Sequence, residues 1–163
     1  VDQLHSLSNK DKPTNYSFMN LIQYDPNQRP TPQQKDAIAS FLFTHLEQYG
    51  DELSAIKKAM DFALQESQSF GGLILALEED GELLGATVIN RTGMDEYIPE
   101  NILVYIATHH GHRGKGIGKR LMQAAIDTCQ GSIALHVEPD NPAKKLYEKL
   151  GFTNKYLEMR LVK

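Results

Sequence analysis

The residues whose types and spacing could do chemistry lie chiefly in one run, His109-His110-Gly111-His112-Arg113-Gly114-Lys115-Gly116-Ile117-Gly118, followed by Lys119-Arg120. Glycines at 114, 116 and 118 remove side chains where an apolar stretch gives way to a helical one, so successive backbone N–H groups can point at one ligand. The first N–H groups of a helix lack internal partners and carry the positive end of its dipole, and Arg113, Lys115, Lys119 and Arg120 add charge beside them. The chemistry is anion binding, with a diphosphate as natural guest; a glycine-rich turn with solvated basic residues is the plain alternative. Two phosphate motifs fail on the letters. A nucleotide loop ends in Gly-Lys-Ser/Thr, which is absent here, and a dinucleotide fingerprint needs two residues between its last glycines, where only Ile117 separates Gly116 from Gly118. His109, His110 and His112 invite a metal reading, yet there is no HExxH helix and no thiolate partner, and three histidines on a turn do not by themselves converge. No metal is expected. Cys129, the single cysteine, falls on an apolar helical face and reads as an inert buried thiol.

The elements that must position this run are legible around it. Residues 1–15 read as a loose polar lead-in and 16–163 as one domain. Tyr16 to Tyr24 reads as a first strand. Thr31-Pro32-Gln33-Gln34 has the form of a capped helix start, and the helix runs to Gly50 with Ala37, Ile38, Phe41, Leu42, Leu46 and Tyr49 on its inner stripe. Asp51 can cap a second helix with Leu53, Ile56, Met60, Ala63 and Leu64 inward. Two antiparallel strands between Leu73 and Asn90 flank Asp80-Gly81, which supplies a tight hairpin turn. Asn101 to Thr108 is a central strand that feeds the glycine-rich run. A helix bearing Leu121, Met122, Ala125, Ile126 and Cys129 follows, then a short strand with Ile133, Leu135 and Val137. Asn141-Pro142 opens a last long helix with Ala143, Leu146, Tyr147 and Leu150 inward, and Tyr156 to Val162 can make a final strand. The order β-α-α-β-β-β-α-β-α-β describes a single-domain α/β fold: a mixed, mostly antiparallel sheet flanked by helices.

Bulk properties exclude more than they assign. A chain of 163 residues fits one core. The formal net charge of −4 gives no overall attraction to nucleic acid or to anionic lipid, so neither is an expected partner. One cysteine suits a reducing compartment, and no apolar run approaches the roughly 18 residues of a spanning helix. A cytoplasmic protein is expected.

The spacing R-x-x-G-x-G at Arg113 to Gly118, after an apolar strand, resembles the coenzyme A loop of the GNAT superfamily of N-acetyltransferases. A second stretch, Val137 to Phe152 (VEPDNPAKKLYEKLGF), resembles that family's other signature: strand, Asn, then a helix with Ala-x-x-Leu-Tyr ending in Gly-Phe. The two motifs stand in the family's order, and the element order resembles the family's over nearly the whole chain. The resemblance implies that acetyl-CoA lies where the strand at 101–108 and the strand at 132–138 splay apart. Its pantetheine arm would bond to the freed edge around Ile106, Ala107 and Thr108 as an added strand would. Its diphosphate would meet Arg113, Gly114, Lys115, Gly116, Ile117 and Gly118, and a strand N–H near Ala107 or Thr108 would hold the thioester oxygen. Tyr147 matches the family's general acid, although its spacing also fits a core residue. Asn141 matches the family's pantetheine partner or serves as an N-cap before Pro142, standing two residues before Ala143 where three is common.

An acceptor amine of pKa near 10.4 must lose its proton, at about 4.6 kcal/mol at neutral pH, before it attacks. Family members often carry an acid inside the strand before the loop, where this strand has Ile102 and Val104. Glu100 is the expected base, with Glu138 as the other candidate. The implied activity is acetyl transfer from acetyl-CoA to a primary amine of a small molecule or peptide, by direct attack in a ternary complex; the oligomeric state is not legible in the sequence, and a homodimer is one candidate. A non-catalytic acyl-CoA-binding or sensing module, and transfer of a longer acyl group, are the alternatives.

Overall fold

The computed structural model describes residues 18–163, so the expected lead-in and the first two residues of the expected first strand lie outside the described residues. The order is β1 (Asn20–Tyr24), α1 (Pro32–His45), α2 (Leu53–Ala63), β2 (Gly72–Glu79), β3 (Glu82–Arg91), β4 (Asn101–Thr108), α3 (Ile117–Thr128), β5 (Ile133–Leu135) and α4 (Lys144–Lys149). The five strands form one sheet in chain order, antiparallel from β1 to β4 and parallel between β4 and β5.

Local chemistry explains the helix starts and stops. Thr31 Oγ1 accepts from the Gln34 amide and Gln34 Oε1 from the Thr31 amide, a reciprocal box with Pro32 in the first turn. The helix stops at His45, short of the expected Gly50, because Glu47 takes a left-handed φ of 54° and starts a separate 3₁₀ turn, Glu47–Tyr49. Asp51 does not cap α2, whose N-cap is Glu52 with no side-chain bond; its carboxylate accepts from the Tyr105 hydroxyl at 2.6 Å instead. The hairpin between β2 and β3 turns at Asp80 and Gly81, both at positive φ, as the sequence predicts.

Each face of the sheet carries its own core. α1 and α2 cover one face, with Ile38, Leu42, Ile56, Met60 and Leu64 against Ile74, Ala76, Val88 and Tyr105. α3 and α4 cover the other, with Ile117, Leu121, Met122 and Tyr147 against Leu75, Leu77, Leu84 and Leu103. Helix α3 can lie this close because Gly85 has no side chain: a Cβ there would stand 2.7 Å from both Ile117 Cγ2 and Leu121 Cδ1.

Two expectations for the C-terminal part are corrected. The last long helix is only six residues, because Lys144 and Leu146 bond back three residues, to Asn141 and Ala143, and the first turn is thus tighter than α. Residues 156–162 form no strand. The neighbour they would pair with, β5, is three half-buried residues long and offers too short a ladder.

Candidate active site

Strands β4 and β5 are stapled at one end and splayed at the other. Their register runs only from Asn101↔Ile133 to Leu103↔Leu135. At the stapled end, buried Asn101 donates Nδ2 to the carbonyls of Gln130 (2.7 Å) and Ser132 (3.2 Å), and Glu100 Oε2 accepts from the Ser132 amide at 2.7 Å. The departure coincides with a bulge: Val88 and Ile89 of β3 face Tyr105 and Leu103, so Val104 is an extra residue that bends β4. From Val104 to Thr108 the outer edge of β4 therefore has no strand beside it. Ile106, Ala107 and Thr108, the residues named from sequence, all lie on this freed edge.

The edge leads into the glycine-rich run. The His109 amide still donates to Leu84 O at 2.9 Å, so the loop leaves the sheet in a fixed direction. Gly114 and Gly116 sit at φ of 79° and 77°, the region that favours glycine, and Gly116 is the N-cap of α3. The Arg120 amide bonds to Gly116 O at 3.0 Å, so the Ile117, Gly118 and Lys119 amides precede the first helical bond and face outward as an anion site. At Gly118 an added Cβ would stand 3.3 Å from Leu146 Cδ2 and 3.5 Å from Thr108 Oγ1; the last strand residue, the first turn of α3 and α4 thus meet there.

The side chains of the run are less free than their letters imply. Arg113 donates to Glu47 Oε1 (3.1 Å) and to the His45 carbonyl (3.4 Å), tying the loop to the 3₁₀ turn after α1. Lys115 Nζ lies 3.2 Å from His112 Nδ1, and Arg120 donates to Met19 O at 3.0 Å. What remains for an anion is mainly backbone N–H, with Lys119 exposed beside it.

On α4, Tyr147 is buried, 6.0 Å ring to ring from Phe152. Burial pushes its hydroxyl up to about 12, and no hydrogen bond among the described residues involves it. Asn141 Oδ1 accepts from the Ala143 amide at 2.9 Å in a turn just before α4, whose N-cap is Ala143 and not Asn141, and the Asn141 Nδ2 donor has no partner among the described residues.

The structure does not bring Glu100 to the slot. It stands four residues before Val104, about 13 Å of strand, beside a polar cleft of about 640 Å³ that it lines with Arg91 and Cys129. Its own amide and that of Ser132 hold the carboxyl below its usual value. Glu138 is exposed beyond the end of β5. Sequence reasoning missed three residues around the mouth. Asp51 meets Tyr105 across the bulged strand, Glu47 meets Arg113, and Tyr49 reaches within 3.5 Å of the Asp140 carbonyl, so the α1–α2 connection lies over the β5–α4 loop. Only contacts between distant segments reveal them. Cys129 is half-buried with its thiol pushed up by burial, as an inert thiol should be.

The acetyltransferase (GNAT) family profile matches residues 36–152. No curated protein matches the chain. Among solved structures, aminoglycoside N-acetyltransferase AAC(6')-Iy in complex with CoA superposes with a TM-score of 0.64 at 18% identity, covering 89% of this chain and 94% of that one. The same enzyme with the bisubstrate analog CoA-S-monomethyl-acetylneamine gives 0.61 at 17%, covering 90% and 99%. Ribosomal-protein-alanine N-acetyltransferase from Brucella melitensis biovar Abortus 2308 gives 0.62 at 19%, covering 88% and 98%. At such identities the likeness is one of fold. No described helix is long and apolar enough to cross a membrane.

Proposed function

The chain belongs to the GNAT acetyltransferase family, and from that premise we propose that it transfers the acetyl group of acetyl-CoA to a primary amine by direct attack within a ternary complex. The observation that carries this reading is the splay: β4 is paired to β5 over three residues and then presents a bare edge from Val104 to Thr108 that runs into free helix-end amides. A pantetheine arm is a pseudo-peptide and completes such an edge as a strand would, while the diphosphate takes the amides of the Arg113–Gly118 run. A strand N–H near Ala107 or Thr108 then faces the thioester oxygen, where charge develops as the amine attacks.

The Tyr147 hydroxyl, on a buried ring and without a hydrogen-bond partner among the described residues, is the donor to the departing sulfur. With its pKa pushed up to about 12, full transfer to a thiolate of ordinary pKa near 8.5 is uphill by about 5 kcal/mol. The phenol therefore acts by donating a hydrogen bond to the sulfur as charge builds there, with protonation completed by solvent. Asn141 supplies its free Nδ2 to the pantetheine carbonyls. For the amine proton we assign Asp51, held by Tyr105 at the bulge, in place of Glu100, whose carboxylate is committed to the β5 loop.

The acceptor is an amine on a small molecule or a peptide. This is supported by the aminoglycoside and ribosomal-protein enzymes that share the fold and by the carboxylates of Glu47 and Asp51 around the mouth. A cytoplasmic location fits the single cysteine, and a homodimer fits the exposed apolar side chains of residues 156–162. The test is incubation with acetyl-CoA and longer acyl-CoAs against a panel of amines, peptides and aminoglycosides, following free thiol. Amine-dependent release from acetyl-CoA is expected. Saturable binding with no release across the panel would make the chain an acyl-CoA-binding module, and faster release from a longer thioester would reassign the acyl group. Acetyl-CoA at 100 times its dissociation constant should add about 2.7 kcal/mol to stability; no melting shift at millimolar acetyl-CoA would overturn the reading.

A further inference from the structure

The histidines of the loop after β4 do converge, and the residue that makes them do so comes from 64 positions earlier. His45 closes the inner stripe of α1, 8% exposed, with its ring 4.5 Å from Phe41. Its ring centroid lies 4.4 Å from that of His109 and 4.8 Å from that of His110. His45 Nδ1 is 3.0 Å from His110 Nδ1. One ring nitrogen each of His45, His109 and His110 falls within 4.8 Å of the other two. Two nitrogens facing each other at 3.0 Å share at most one proton, and three imidazoles at this spacing repel one another once charged. Burial, helped by His109, His110 and Arg113, holds the His45 ring below its usual pKa.

Clustered imidazole nitrogens are ligands that suit borderline divalent ions. We propose that His45, His109 and His110 form a three-nitrogen site for a zinc-class divalent ion that fastens the end of α1 to the loop feeding the glycine-rich run. Tetrahedral bonds of about 2.0–2.1 Å set ligand nitrogens roughly 3.3 Å apart, so the His45–His110 separation needs only a few tenths of an ångström of adjustment. The Nδ1 atoms of His45 and His109 accept backbone amides, from His110 at 3.2 Å and Gly111 at 3.0 Å, and an ion bound at His45 Nδ1 displaces the first of these. The fourth position is open to water. An overlapping group, Glu82, His109 and His112, shares His109 and so cannot hold an ion at the same time. Its carboxylate is mostly exposed, whereas His45 is shielded by Phe41, and the His45 group is therefore the site.

The test is independent of acetyl transfer. The chain is titrated with Zn²⁺ against a chromophoric chelator, and separately with Co²⁺, whose visible spectrum reports nitrogen coordination. Uptake of one ion at micromolar affinity or tighter is expected, with a rise in melting temperature. His45→Gln and His110→Gln should each weaken uptake at least about tenfold, and His136→Gln, outside the cluster, should not. Because His110 is exposed, its variant keeps the test open should the His45 variant fail to fold. No saturable uptake below about 0.1 mM Zn²⁺, uptake unchanged by His110→Gln, or uptake abolished by His112→Gln alone would each overturn the site.

Discussion

Tyr147 joins two properties that seldom coexist: it is 7% exposed, and its hydroxyl bonds to nothing in the described protein. The ring is held by burial while the hydroxyl is left free to donate, which is what the proposed role needs. Tyr147→Phe should therefore leave melting temperature and acetyl-CoA affinity nearly unchanged while lowering kcat by about 10²-fold or more, the usual scale for removing a hydrogen-bond donor to developing charge. The pH profile carries a sign. The protonated phenol is the working form and burial raises its pKa to about 12, so activity should hold as pH passes the ordinary phenol value of about 10 and decline only near the raised one. A fall centred on the ordinary value, absent in the Phe variant, would show that the ring is solvated in the working complex. The carboxylates separate in the same assay. Asp51→Asn should lower kcat/KM about tenfold or more, whereas Glu100→Gln, which weakens only the clasp on Ser132, should hold kcat/KM within about twofold.

At the scale of elements, the site depends on how closely α3 sits on β3 and how it begins. Gly85→Ala drives a methyl group into Ile117 and Leu121 and should cost about 1–3 kcal/mol by overpacking. Since Ile117 opens α3, the same change should weaken acetyl-CoA binding, measured by calorimetry. Gly116→Ala places a Cβ at a φ of 77°, with a cost of about 1–2 kcal/mol concentrated at the anion site. These two contrast with Gly118→Ala, where Leu146 can yield and only a small effect is expected.

Element scale also shows why parts of the site were legible in the sequence. The strand 101–108, the glycines and the start of α3 are contiguous, and their chemistry is local: apolar run, positive φ, unpaired amides. The Thr31 box and the Asp80-Gly81 turn are local in the same way. His45, Glu47 and Asp51 were not legible as site residues, because their partners His110, Arg113 and Tyr105 are more than 50 residues away and only the packing of α1 and α2 on the sheet brings them together. His45 had a faint signal, standing four residues after Phe41 and seven after Ile38 on one helical stripe. The failed strand at 156–162 is the converse case: its alternation is real, but a strand needs an edge of matching length, and β5 stops after three residues.

That mismatch has a consequence for the whole molecule. Tyr156, Leu157, Met159, Leu161 and Val162 are 78–91% exposed, and the outer edge of β5 is unpaired. Single exposed apolar residues are ordinary, but five within seven positions, in a sheet that also ends on an unpaired strand edge, are the feature on which the proposed homodimer rests. Burying each would stabilise a complex by about 1.5–3 kcal/mol, before the cost of association. A second copy brings the same segment and the same edge, and a two-fold arrangement covers both at once. Removal of residues 156–163 discriminates this from a tail that folds back within the chain. These residues bury almost nothing in the monomer, so the truncated chain should melt within about 2 °C of the full one when both are dilute, and it should sediment as a monomer at concentrations where the full chain is a dimer. A full chain that stays monomeric from about 1 to 100 µM, a range that brackets micromolar dimer affinities, would remove the homodimer. A large fall in melting temperature on truncation of the dilute chain would instead mean that the segment packs on its own β5.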